Sequence, residues 1–316
     1  MELTTLSRRR QWLATALLLV VLAGLIWQWP DRSLWYDETV NAYFSQRGWA
    51  EIYHWCTQID NQAALGFVLL KLWAGLVGAS EFALRAFSVC CALLSLAGLL
   101  ALGRRVGGRD ATGWLAAGLF ALTQSFLYAA YEVRPYALAL CLLAWSSVFL
   151  WDLWERYGVV ERPLDASYWR LLAGYLTLAL GMAYTHYTGL VLAALVQGVY
   201  LGLTMLARPS RRRFVIMAHI ACGLALGYAP WLVALAGRDI RGGAAFSGEV
   251  VPIYALRTYV DFWAHGQRIV TPEARRYGLG LTLLLLASPL VWLATKHDER
   301  ERRGLLFALL FTALPL

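Results

Sequence analysis

The chain has 316 residues, 59% of them hydrophobic and 15% charged, with a mean hydropathy of +0.53. That balance excludes an ordinary soluble globular domain, in which about a quarter of the residues carry charge. A formal net charge of +8 raises the question of nucleic acid, but no basic patch interleaved with aromatics supports such a partner.

Apolar runs at 11–29, 86–102, 112–131, 135–151, 171–185, 187–206, 214–236 and 277–294 approach the ~20 residues that a transmembrane helix needs. A further run from Gly304 stops at Leu316 and reads as a truncated ninth span. The first run follows a basic leader, Arg8–Arg10. It has no small-x-small cleavage site before Pro30, so it reads as an uncleaved helix. Most of the 28 Lys and Arg gather in alternate connections: Arg8–Arg10, Arg104/Arg105/Arg109, Arg156/Arg162/Arg170, Arg208/Arg211–Arg213 and Lys296/Arg300/Arg302/Arg303. This bias places the N-terminus of a multi-pass membrane protein in the cytoplasm. The expected fold class is all-α: a polytopic membrane helical bundle of about eight complete transmembrane helices with interfacial helices in its outer loops.

The first outer loop, 30–85, holds two of those interfacial helices. Residues 39–55 carry Tyr43, Phe44, Trp49, Tyr53 and Trp55 among polar side chains, as a helix lying in the headgroup plane would. Residues 63–79 are apolar but short, with Lys71 near the middle. Were they a span, every later Arg cluster would face outward, so they read as interfacial or re-entrant. The expected organisation is a transmembrane module over 1–236, an outer loop over 237–276 with a third interfacial helix at 250–264, and C-terminal helices over 277–316. Cys90, Cys91, Cys141 and Cys222 fall within spans, Cys56 stands apart, and no disulfide or metal spacing appears.

No span carries Asp, Glu, Lys or Arg near its centre, where ion-coupled transporters keep them. The chemistry-bearing residues flank the outer ends. Trp35-Tyr36-Asp37-Glu38 follows the first span. A carboxylate there suits a general base, or equally an N-terminal cap for the helix that follows. Glu132-Val133-Arg134-Pro135-Tyr136 fills a short turn, with Pro135 opening the next helix. Arg134 offers a fork that matches phosphate, or an ion pair that anchors the turn. Thr185-His186-Tyr187 puts an imidazole at the same depth, suited to a metal, a phosphate, proton transfer or a plain interfacial hydrogen bond. Asp60-Asn61-Gln62 adds another acid or a cap. Several acids, a guanidinium and an imidazole beside interfacial helices suit a lipid-phosphate-linked substrate.

These motifs resemble the lipid-linked-sugar glycosyltransferases of the GT-C superfamily, especially family 39, with its protein O-mannosyltransferases and aminoarabinose transferases. The resemblance rests on "WYDE", "SEFALRAFSV", "GRRVGGRDATGWLAA", "YEVRPYALAL" and "THYTGL" and covers about residues 1–235, close to that superfamily's seven-helix module. It implies transfer of one sugar, with inversion, from a polyprenyl-phosphate donor to a protein, lipid or glycan acceptor, within membrane lipid. Asp37 would be the base, with Glu38 and Glu132 orienting the acceptor or holding a cation. Arg134, Tyr136 and Arg85 would meet the donor phosphate. No cofactor is required, although some relatives hold a divalent metal cation between outer carboxylates and a histidine, here Asp60 and His186. Where many relatives read His-Pro-Pro-Leu or Glu-Lys-Pro, this chain has Asp60-Asn61-Gln62-Ala63-Ala64-Leu65. The alternative reading, a non-catalytic lipid or glycan transporter or a membrane scaffold, predicts ionisable groups or broken helices deep in the bundle.

Overall fold

A computed structural model describes residues 12–13, 16–24, 33–59, 63–186, 193–236, 299 and 302–307. The described residues form helices and turns with no strand. After a helical stretch at 16–24 come α1 (Tyr36–Ser45), α2 (Trp49–His54, continuing as a π-helical turn Trp55–Ile59) and α3 (Leu65–Val77). Next come α4 (Glu81–Gly107), α5 (Asp110–Ala121), α6 (Gln124–Tyr131), α7 (Tyr136–Leu153, with a π-helical turn Trp154–Val159) and α8 (Ala166–Ala183). A π-helical turn Ala193–Gly198 leads into α9 (Val199–Ala207), and α10 (Arg211–Leu235) follows.

Among the described residues three helices are long and apolar enough to cross a membrane: Glu81–Gly107, Tyr136–Val159 and Arg211–Leu235. α4 starts where Ser80 accepts the Ala83 N–H at 3.2 Å and stops at Gly108, whose φ of +66° suits glycine. α7 packs between α4 and α8 and carries the core, where Trp151, Trp154 and Tyr157 lie fully buried beside Tyr168 and Tyr200. Phe307 closes this core edge-on to Trp151 and Tyr200. α4 and α5 approach closely at Gly103 and Gly113, where a Cβ on Gly103 would lie 2.8 Å from the facing Cα.

Several elements differ from the sequence expectation. The run 112–131 is not one helix: it breaks at Leu122–Thr123, where the Thr123 hydroxyl donates to the Phe120 carbonyl at 2.8 Å and accepts the Phe126 N–H at 3.2 Å. A threonine able to bond the backbone locally ends one helix and caps the next despite the apolar surroundings. The expected helix over 39–55 splits at Gln46–Gly48 into α1 and α2, whose start at Gly48 is capped by Glu51. α3, expected over 63–79, has 13 residues and spans about 20 Å, short of the ~30 Å of a bilayer core. The expected outer loop 237–276, the run 277–294 and most of the run from Gly304 lie outside the described residues.

Candidate functional site

The site starts from the phase of α1. Trp35 sits extended at its N-cap, so Asp37 and Glu38 fall in the first turn, where the helix dipole favours acids. Glu38 then shares the inward face with Asn41, Ala42 and Ser45, and it is 2% exposed. Asp37, one residue earlier, is rotated by about 100° and keeps a third of its side chain exposed.

Glu38 is held entirely by protein donors. One carboxylate oxygen accepts the Trp35 N–H at 3.2 Å and the Arg85 guanidinium at 3.3 Å, and the other accepts the Val133 N–H at 2.9 Å. Arg85, one turn into α4 and itself buried, also reaches the Ser33 carbonyl at 3.5 Å and Glu81 at 3.9 Å. A second strap runs alongside: the Trp35 indole N–H donates to the Glu132 carboxylate, and the Ser88 hydroxyl donates to the Glu132 carbonyl at 2.6 Å. Buried charges persist when paired and fully hydrogen-bonded, and here the bonds weld α1, α4 and the α6–α7 turn into one block.

That block sets a second pair. Arg134 follows Val133 as Asp37 precedes Glu38, and the two side chains meet with Nη1 of Arg134 2.6 Å from the Asp37 carboxylate. Nη2 of Arg134 donates to the Tyr136 hydroxyl at 3.0 Å, and the guanidinium lies 5.2 Å from the Tyr136 ring centre. Nε of Arg134 is buried and has no hydrogen-bond partner among the described residues. The Tyr136 ring lies 6.0 Å from the His186 ring, which brings the end of α8 into the group. Beside the pair opens a narrow cleft, whose lining includes Phe67, Leu70, Phe87 and Pro135 with Asn41, Ser88 and Arg134 as its polar members.

The residues singled out in the sequence therefore converge: Asp37, Glu38, Arg85, Glu132, Arg134, Tyr136 and His186 form one connected group, while Asp60 lies outside the described residues. Two placements differ from expectation. Arg85, expected at the donor phosphate, is turned to Glu38 and the Ser33 carbonyl. Glu38, expected to face an acceptor or a cation, is buried against three N–H groups. Trp35, Ser88 and Asn41 were missed. Trp35 lay within the quoted motif, but its indole bond to Glu132 spans 97 positions and leaves no local trace. Asp37 faces the Arg134 guanidinium and Glu38 that of Arg85. Among the described residues no three His, Cys, Asp or Glu side chains gather as a metal site.

Comparison of the chain with protein-family models, curated proteins and solved structures returns no match.

Proposed function

We propose that this chain is a membrane glycosyltransferase of the GT-C kind, family 39-like, which moves a sugar from a polyprenyl-phosphate donor to an acceptor at the outer face of a bacterial inner membrane. The observation that carries the reading is the Asp37–Arg134 pair beside an apolar-walled cleft, with Nε of Arg134 unpartnered. A carboxylate with access to solvent and a guanidinium with a spare donor are the two groups an inverting transfer needs. Asp37 takes the proton from the acceptor hydroxyl or amine. The acceptor atom bonds to the anomeric carbon from the face opposite the phosphate. The bond from that carbon to the phosphate oxygen breaks, and both its electrons leave with the polyprenyl phosphate. Arg134 meets the charge growing on that oxygen in a poorly hydrated setting, where such an interaction lowers the barrier most. Tyr136 steadies Arg134, and Glu132 sets the turn through Trp35.

In this reading the eight apolar runs cross the membrane with the N-terminus in the cytoplasm. α4 begins at the site with Glu81, Arg85 and Ser88 and ends at Arg104 and Arg105. α7 begins at Tyr136 and leads to Arg156. Site and arginine clusters thus occupy opposite ends of two membrane-length helices, as the positive-inside rule requires of an outward-facing site.

The test is transfer of labelled sugar from polyprenyl-phosphate donors to cell-envelope acceptors by the purified full chain. Asp37→Asn should lower transfer by about 10²–10⁴-fold, and Arg134→Ala by about 10²–10³-fold, with helical circular dichroism unchanged. Wild-type rates in Asp37→Asn would remove the base. Donor movement across vesicles without label transfer, in wild type and both variants, would favour the transporter.

A further inference from the structure

α8 and α10 begin side by side, at the end of the molecule away from the site. Tyr168, in the first turn of α8, is fully buried, and its hydroxyl lies 2.6 Å from Nδ1 of His219 on α10. Trp169, 52% exposed, sets its ring 5.3 Å from the same imidazole. The other ring nitrogen of His219, Nε2, makes no hydrogen bond among the described residues. His219 belongs to a stripe: Arg212, His219, Leu226 and Val233 recur every seven residues, two turns apart, and so lie on one side of α10. Arg212 makes no ion pair among the described residues. At the other end of the stripe Leu226 is 76% and Val233 75% exposed. Along its flank α8 packs tightly, since a Cβ on Gly223 or Gly227 would fall 2.5 Å from Leu176 or 2.3 Å from Leu180.

The stripe has the polarity of a phospholipid, cationic at one end and apolar at the other, with an exposed indole near the change. Arg211, Arg212 and Arg213 also occupy the first turn of α10, where the helix dipole disfavours positive charge and favours an anion. Arg213 is satisfied by the carbonyls of Gly158, Thr204 and Arg208, each at 2.8 Å, whereas Arg212 is not engaged in this way. We propose that the α8–α10 seam holds one anionic phospholipid. Its headgroup spans the roughly 10 Å between Arg212 and His219, and its acyl chains lie along Leu226 and Val233. Trp169 packs at the level where headgroup meets chain, as interfacial tryptophans do. Charge complementarity selects an anionic headgroup over a zwitterionic one, and the length of the apolar stripe selects a lipid over a free anion. This inference does not depend on the transferase reading.

The test counts lipids retained by the full-length chain in native mass spectrometry, after exchange into micelles mixing phosphatidylglycerol and phosphatidylcholine. Wild type should keep about one phosphatidylglycerol per chain, and Arg212→Ala should retain about fivefold less, while Arg212→Lys keeps most of it. Leu226→Asn changes a position already facing outward, so folding survives, and it should lower retention with the headgroup contacts intact. Equal retention of the two lipids, unchanged phosphatidylglycerol in both Arg212→Ala and Leu226→Asn, or displacement of the lipid by excess inorganic phosphate would each overturn the proposal.

Discussion

Two ends of the molecule bury a full charge, and they put that burial to different uses. At one end Glu38 is enclosed by the N–H groups of Trp35, Val133 and Arg85. At the other, roughly 30 Å away along α7, Arg213 is enclosed by three carbonyls at the ends of α7 and α9. Among the described residues Arg213 has no carboxylate as a hydrogen-bond partner, and Trp154 covers its guanidinium at 5.7 Å. Its environment is complete: it staples three helix ends and serves packing. Around Glu38 the same device leaves a remainder. Because Glu38 binds the backbone of Val133, the residues next to each, Asp37 and Arg134, are brought into register beside a cleft. A buried charge that fixes backbone positions can thus hold a second, accessible pair in place, and that second pair is where chemistry is sought.

The contrast is broken most severely at Glu38. Glu38→Ala leaves Arg85 buried without its carboxylate and the Val133 N–H without an acceptor, a loss of about 3–5 kcal/mol in an unfolding titration. Glu38→Gln keeps an acceptor for Val133 and should cost less. If the two variants were equally stable, the packing role assigned to the carboxylate would be wrong. Arg213→Met should come next, at roughly 1–3 kcal/mol, because its loss strands carbonyls at helix ends where water can partly replace the guanidinium. It should leave label transfer untouched, whereas Glu38→Gln should alter kcat through the Asp37–Arg134 geometry. A drop in transfer for Arg213→Met at full stability would erase the distinction between the two ends.

How much of this could be read from the sequence follows the same division. The motifs flanking apolar runs placed Asp37, Glu132, Arg134 and His186 at one depth, because depth is set locally by where each run ends. Which of the two adjacent acids turns inward was not readable. It depends on α1 starting at Tyr36 rather than Thr39, and that phase is fixed by Glu38 reaching back to Trp35 and across to Val133, a partner 95 positions away. Arg213 was legible only as one member of a basic cluster, since its burial requires carbonyls from two other helices. The break at Thr123 did have a local signal, a Thr-Gln-Ser step inside an apolar run. The hydrophobic count over 112–131 outweighed it, and the cap bond prevailed in the fold.

The smallest effect sharpens the comparison at the basic end. Asp165 caps α8 by accepting the Tyr168 N–H at 2.9 Å, and it also accepts the Tyr157 hydroxyl at 2.6 Å. The Tyr157 hydrogen bond, then the backbone one, hold its carboxyl below the ordinary 3.8. A depressed carboxyl contributes stability that is fully present above its unfolded value and is lost as pH falls through the folded one. Asp165→Asn keeps an oxygen for capping but loses the charge, so it should be slightly less stable than wild type at about pH 6. That gap should shrink as the pH falls below about 4 and close only once it has passed the depressed value of the folded carboxyl, where the wild-type group is protonated as well. Thermal melts of both proteins across this range would decide the point. A gap that stayed constant or widened in acid would show that the cap acts through shape alone, and that the α8 end, unlike Glu38, draws nothing from charge.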